Sequence, residues 1–256
     1  MKWKTKQQME EFVSNLALSV QNVSMMFNLS KDKILSLKEY AIKALKKQLF
    51  YEKFWALKNV SFAVEKGEMF GVMGLNGAGK STLLKIIAGV YKPTKGSVNV
   101  NGELVPLLEL GTGFDYEFSA RDNVYMNGAM YGRSTKSMAA IYDEIMDFAE
   151  LWEFEHVALK NFSTGMVARL GFSVATSVQP EVLIVDEVLG VGDYKFQAKC
   201  EDRINSMINH GATVLLVTHD SRKIKDLCSR AILLRKGEVA CVGDADEICR
   251  VYKEGE

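Results

Sequence analysis

Gly74-Leu75-Asn76-Gly77-Ala78-Gly79-Lys80-Ser81 is the stretch on which the fold of this chain turns. It fits G-x-x-x-x-G-K-[ST], and it lies between a short apolar run over residues 69–73 and a helical pattern over residues 80–88. Strand, glycine loop and helix in that order build a phosphate site. The glycines let backbone N–H groups turn inward around phosphate oxygens, and the N-terminus of the following helix adds its positive dipole. Gly74, Asn76, Gly77, Ala78 and Gly79 are then the main-chain cradle. Lys80 reaches the β and γ phosphates, Ser81 is placed to ligate Mg²⁺, and Thr82 adds a phosphate contact.

Downstream, the buried-strand run Val182-Leu183-Ile184-Val185 ends in Asp186-Glu187. Carboxylates at the end of such a strand sit beside the phosphate loop in a parallel sheet. Asp186 is expected to hold Mg²⁺, directly or through water, and Glu187 to orient and activate the attacking water. A second buried run, Val214-Leu215-Leu216-Val217, leads into Thr218-His219-Asp220, which puts His219 within reach of the γ-phosphate. Helices between the runs imply an α/β chain with a mostly parallel sheet.

The remaining pattern gives early strands at residues 20–24 and 60–64 and a helical subdomain over about residues 115–178. Within that subdomain Ile141, Ile145, Phe148 and Leu151 form a stripe at three- and four-residue spacing. Residues 234–239 read as a hairpin, followed by a short helix ending at Tyr252. With 3 prolines and no repeat in 256 residues, one domain over residues 1–256 is the simplest organisation. Lys and Arg together number 32, as do Asp and Glu, so no global field draws the chain to nucleic acid and no nucleic-acid partner is expected. No run approaches the roughly 18–20 apolar residues of a membrane span, and the polar N-terminal sequence is unlike a signal peptide, so a cytosolic chain is expected. Cys200, Cys228, Cys241 and Cys249 show no C-x-x-C pairing and read as buried or idle thiols.

Phe162-Ser163-Thr164-Gly165-Met166, upstream of Asp186, resembles the signature loop that separates ABC ATPases from other P-loop NTPases. Thr164 and Met166 depart from the family's commonest Leu-Ser-Gly-Gly-Gln, while Ser163 and Gly165 keep the phosphate-facing chemistry. The resemblance implies an ABC ATPase cassette: a parallel core, an antiparallel β subdomain and a helical subdomain. It also implies that the Ser163–Gly165 loop completes the ATP site of a second copy, so the working unit is a homodimer beneath integral membrane permease subunits, at the cytoplasmic face of the membrane. Phe27, in Gln21-Asn22-Val23-Ser24-Met25-Met26-Phe27, matches the aromatic that stacks on adenine, with an ordinary core phenylalanine as the alternative. Asp193, at the end of Leu189-Gly190-Val191-Gly192-Asp193, would meet the partner copy. The loop that usually carries a glutamine reads Leu108-Glu109-Leu110-Gly111-Thr112-Gly113-Phe114, which makes Glu109 the positional match for a metal and water contact and for coupling to the membrane subunit.

Three strings narrow the resemblance to the ATPases of polysaccharide exporters, which move lipid-linked O-antigen, teichoic acid or capsule chains. They are residues 107–114, residues 162–172, and residues 186–200 with Val188 where most ABC ATPases have proline. The expected cargo is a lipid-linked glycan, with a drug or peptide exporter as the alternative. Residues 28–55 are extra relative to a typical cassette and read as an inserted basic amphipathic helix, N-capped by Ser30 and striped by Ile34, Leu37, Ala41, Leu45 and Leu49. Its lysines suit anionic headgroups or a pyrophosphate-linked glycan, and equally a solvated helix packed on the domain. No C-terminal carbohydrate-binding domain is expected. A single Gly74–Ser81 motif argues against the two-cassette ATPases of translation, the Phe162–Met166 loop against a kinase or GTPase, and the presence of Glu187 and His219 against a non-catalytic adaptor.

Overall fold

The computed structural model describes residues 14–30, 51–107, 110–186 and 193–254. Two sheets organise them. Strands β1 (Leu16–Ser30), β2 (Tyr51–Glu65) and β4 (Lys95–Val100) form an antiparallel sheet in the order β2-β1-β4. Strands β3 (Met69–Met73), β5 (Leu104–Leu107), β6 (Val182–Asp186), β7 (Thr213–Val217), β8 (Arg230–Arg235) and β9 (Glu238–Asp244) form a second sheet in the order β5-β6-β7-β3-β8-β9. Its first five members run parallel and β9 returns antiparallel to β8. The helices are α1 (Lys80–Ile87), α2 (Ala120–Met130), α3 (Thr135–Ala149), α4 (Thr164–Ala175), α5 (Tyr194–Asn209), α6 (Ser221–Leu227) and α7 (Ala245–Glu254). Among the described residues no helix is long and apolar enough to cross a membrane.

The apolar runs that identify β6 and β7 are continuous because both faces of their sheet are covered. Leu183, Val185, Val214 and Leu216 face a core with Phe172 of α4, Phe196 and Ile204 of α5, Ile224 of α6 and Ile248 of α7. The alternate residues Val182, Ile184, Leu215 and Val217 face Leu83, Leu84 and Ile87 of α1 and the antiparallel sheet through Leu18, Val20 and Val60. Each such side chain contributes about 1.5–3 kcal/mol on leaving water, so the period-two split commits the strands to one register.

A third cluster joins α2, α3 and α4 through Val124, Ile145, Met146, Leu159 and Leu170. The stripe on α3 divides: Ile145 and Leu151 enter this cluster and Ile141 packs against it, while Phe148 turns to stack on Phe172 at 5.8 Å between ring centroids. Each of the three helices starts on a serine whose Oγ accepts a backbone N–H, Asp122 N to Ser119, Ser137 N to Ser134 and Met166 N to Ser163.

The sequence predicts an inserted helix over residues 28–55, but residues 28–30 and 51–55 extend β1 and β2, whose ladder runs to the Ser30–Tyr51 pair. Residues 31–50 lie outside the described residues, as do Glu109 and Glu187. The two sheets meet at a main-chain junction under the phosphate loop. Lys58 N–H donates to Gly237 O at 2.8 Å, and Gly237 N–H donates to Ala78 O at 3.0 Å. A Cβ on Gly79 or on Gly237 would come within 2.8 or 2.5 Å of Ala56 O, and both glycines have positive φ.

Helix α4 lies against the backbone of the loop after β5: a Cβ on Gly171 would meet Gly111 N at 2.5 Å and Leu110 C at 3.0 Å. Backbone cannot swing aside as a side-chain end can. Gly171→Ala should therefore destabilise the chain by about 1–3 kcal/mol in urea unfolding, the usual cost of overpacking. An unchanged unfolding midpoint would show that α4 and this loop are not in contact.

Candidate functional site

Parallel pairing delivers the ends of three strands to one level. Val72 of β3 pairs with Val217 of β7, and Val217 pairs with Asp186 of β6. The phosphate loop, the Asp186 carboxylate and the Thr218-His219 turn therefore share one edge of the sheet. A cleft of about 640 Å³ opens over that edge, lined by Asn76, Gly77, Ala78, Gly79, Lys80, Ser81, Thr82, Asp186 and His219, together with Phe54, Ala56, Val217 and Thr218.

The loop between β3 and α1 is shaped by its glycines. Gly74, Gly77 and Gly79 all have positive φ, and a Cβ on Gly74 would lie 2.6 Å from Leu234 O of the neighbouring strand. The loop closes on itself through Ala78 N–H to Leu75 O at 3.0 Å. Gly79 begins α1 with no side chain to cap it, and the first turn carries no acid, so the first N–H groups of the helix face the cleft for an anion. Lys80 Nζ donates to Gly74 O at 2.6 Å and to Leu75 O at 3.2 Å, which keeps the ammonium at the mouth of the loop.

On the far wall Thr218 is buried and its Oγ1 accepts the Asp220 N–H at 2.9 Å. Asp220 caps α6 by accepting the Arg222 N–H at 2.8 Å, and this bond, with the Arg222 charge, holds its carboxyl below the usual range. The turn that presents the exposed His219 ring is thus tied at both ends.

Several residues marked by the sequence stand elsewhere. Ser163 caps α4 and accepts the Met166 N–H at 3.2 Å, so the Ser163–Gly165 loop is the first turn of a helix in the helical subdomain and not part of this chain's own cleft. Gly165 has no positive φ, and among the described residues its Cβ would meet only Ser163 Oγ at 3.8 Å. Asp193 caps α5, accepting the Lys195 and Phe196 N–H groups at 3.0 and 3.1 Å. Phe27 packs edge-on against Tyr91 with centroids 5.9 Å apart, and the aromatic in the cleft lining is its register partner Phe54, half exposed at 50%. Phe54 was hidden from sequence because it fell inside the helix expected over residues 28–55; the Phe-Trp-Ala-Leu run within β2 is the local signal of a strand. Burial pushes the Cys200 and Cys228 thiols up to about 12, so neither is a ready nucleophile.

Comparison with known proteins places this arrangement. The family described as ABC transporter matches residues 57–190. The chain is 43% identical over 202 residues to the O-antigen export system ATP-binding protein RfbB of Klebsiella pneumoniae, covering 79% of this chain and 82% of that one. It is 35% identical over 240 residues to the teichoic acids export ATP-binding protein TagH of Listeria monocytogenes, covering 94% of this chain and 70% of that one. The fold superposes with a TM-score of 0.68 on the dimeric ATP-binding cassette MJ0796 in a post-hydrolysis state bound to ADP and Pi, at 23% identity over 89% of this chain and 98% of that one. The chain belongs to the ABC transporter ATP-binding family.

Proposed function

We propose that this chain is the ATP-hydrolysing subunit of an exporter of lipid-linked polysaccharide, acting as a homodimer at the cytoplasmic face of the membrane beneath integral permease subunits. The observation that carries it is the separation of two half-sites. The cleft gathers Lys80, Ser81, Asp186 and His219, while the Ser163–Gly165 turn stands outside that cleft with a glycine that no described residue of its own chain crowds. A glycine in a helix costs about 0.5–1 kcal/mol relative to alanine, so an outside surface that approaches closely is the reason to keep it. The triphosphate of ATP in a second copy is that surface. Cargo is argued from likeness: both the O-antigen and the teichoic acid export proteins match most of the chain.

In this reading the phosphates lie in the Gly74–Thr82 loop with Lys80 against the β and γ oxygens, and the base lies on Phe54 of the cleft lining, with its register partner Phe27 as the second candidate. The Ser81 hydroxyl and Asp186 carboxylate are the hard oxygen donors that suit Mg²⁺, with Glu109 as a further candidate, and the bound ion neutralises phosphate charge. Glu187 takes a proton from water as its oxygen bonds to the γ-phosphorus and the bond to ADP breaks; His219 holds the γ-phosphate in line. Binding draws the Ser163–Gly165 turn of one copy onto the ATP of the other. Asp193 lies beside that junction.

The permease has a fitting surface. A groove of about 270 Å³ runs along the loop after β5, lined by Pro106, Leu110, Thr112, Met130 and Tyr131, with Val90 at its rim. Met130 and Val90 expose 68% and 65% of their surface there, next to the loop that holds Glu109. Apolar groups so exposed on an ATPase suit a permease segment, and Met130, on a helix packed with α4, links that surface to the Ser163–Gly165 turn.

Gly165→Ala should leave the fold intact or stabilise it by about 0.5–1 kcal/mol and lower ATPase activity at least tenfold; retained activity would refute the half-site reading. Phe54→Ala should weaken ATP binding at least fivefold by titration, and Phe27→Ala less so, since stacking on one ring is worth about 1–3 kcal/mol. If only Phe27→Ala weakens binding, Phe54 is not part of the base site. Glu187→Gln expressed in the native cell should cause lipid-linked glycan to accumulate on the cytoplasmic side, read by mass spectrometry. Normal glycan levels would overturn the cargo assignment while leaving the ATPase.

A further inference from the structure

The sequence holds three Asn-Gly pairs, at residues 76–77, 101–102 and 127–128. Asparagine before glycine is the pair most open to self-cyclisation, because glycine has no Cβ to hinder attack by its own nitrogen on the asparagine side chain. The fold locks two of the pairs. Asn101 Nδ2 donates to Leu16 O at 2.7 Å and its Oδ1 accepts from Asn99 Nδ2 at 2.9 Å, while a Cβ on Gly102 would strike the Glu181 side chain at 2.6 Å. Asn127 is buried in α2 with its Nδ2 donating to Thr112 O at 3.3 Å, and Gly128 is packed against the Met138 side chain. The third pair is held by neither means. Asn76 and Gly77 form the exposed tip of a turn closed by Ala78 N–H to Leu75 O. Neither the Asn76 amide nor the Gly77 N–H bonds to a described residue, and a Cβ on Gly77 would meet nothing within 4 Å.

We propose that Asn76 is a self-modification site whose reaction is blocked by bound nucleotide. The Gly77 nitrogen, having lost its proton to solvent, bonds to Asn76 Cγ; the Cγ–Nδ2 bond breaks, the leaving nitrogen takes up a proton and ammonia departs. Water then opens the five-membered imide, at Cγ to leave aspartate or at the main-chain carbonyl to leave isoaspartate. No other reactant is needed. The nucleophile is one of the loop N–H groups assigned above to the phosphates, and the protection rests on that reading. An N–H bonded to a phosphate oxygen neither gives up its proton nor turns toward the neighbouring side chain. Either product sets a carboxylate beside a helix start whose first turn carries no acid, and isoaspartate also adds a methylene to the main chain of the cradle. The loop therefore ages only while empty, and the aged loop repels the phosphates it is shaped for.

The test incubates the purified full-length chain at mildly alkaline pH, empty or with saturating ADP and Mg²⁺. Mass spectrometry follows aspartate plus isoaspartate in each Asn-Gly peptide, and calorimetric titration measures ADP binding in parallel. In the empty chain residue 76 should convert at least tenfold faster than residues 101 and 127, with ATP affinity falling in step. ADP should slow conversion at residue 76 at least tenfold and leave the other two unchanged. Asn76→Gln, whose side chain closes only a slower six-membered ring, should keep its own starting affinity through the same incubation. Conversion at residue 76 no faster than at the other two, conversion unaltered by ADP that the titration shows bound, or an equal loss of affinity in Asn76→Gln would each overturn the proposal. Failure of the phosphate reading is distinguishable: freshly prepared chain would then bind no ADP, which would also remove the protection proposed here.

Discussion

Everything in the nucleotide cleft depends on parallel pairing of β6, β7 and β3, which sets Asp186, Val217 and Val72 side by side. Parallel strands all end on the same edge, so residues more than a hundred positions apart in sequence meet without any long-range side-chain bond. Burial on both faces keeps that register from slipping, since a one-residue shift would turn Ile184 and Leu215 into the opposite core. Among the described residues that line the cleft, positive φ falls on glycines of the phosphate loop.

Helices α2, α3 and α4 form a second body whose interior is nearly separate, built on Val124, Ile145 and Leu170. Its attachments to the sheet are few in kind: the aromatic stack of Phe148, Phe172 and Phe196, and the contact of Gly171 with the loop after β5. The charged bridge of Glu150, Arg169, Asp193 and Lys199 spans the same seam. The helical body is thus joined to the sheet by an apolar stack, in which Phe172 shares the core of Leu183 and Val214, and by charged groups beside it.

The parallel core, the phosphate loop, Asp186 at the end of β6 and the Thr218-His219 turn after β7 were legible in sequence because each is local: an apolar run followed directly by the residues it presents. The family was legible through Phe162-Ser163-Thr164-Gly165-Met166, although those letters do not tell that Ser163 also caps a helix. Strand β4 escaped because Lys95–Val100 is mostly exposed and lacks an apolar run, and β5 because four residues give no period to read. Phe54 escaped because residues 28–55 read as a single inserted helix, whereas residues 51–55 continue β2 in regular register with β1. The partners of Arg169 stand 19 and 24 residues from it, beyond any helical spacing, so only tertiary structure brings them to one guanidinium.

The junction of Ala56, Gly79 and Gly237 acts as a caliper. Ala56 follows Phe54 by two residues on β2, and its carbonyl is crowded by both glycines, while Gly237 bonds Lys58 on one side and Ala78 of the phosphate loop on the other. All of these contacts are main chain. The separation of β2 from the phosphate loop is therefore set by peptide geometry and not by side-chain choice, so a substitution along this wall changes the lining of the cleft without changing its width.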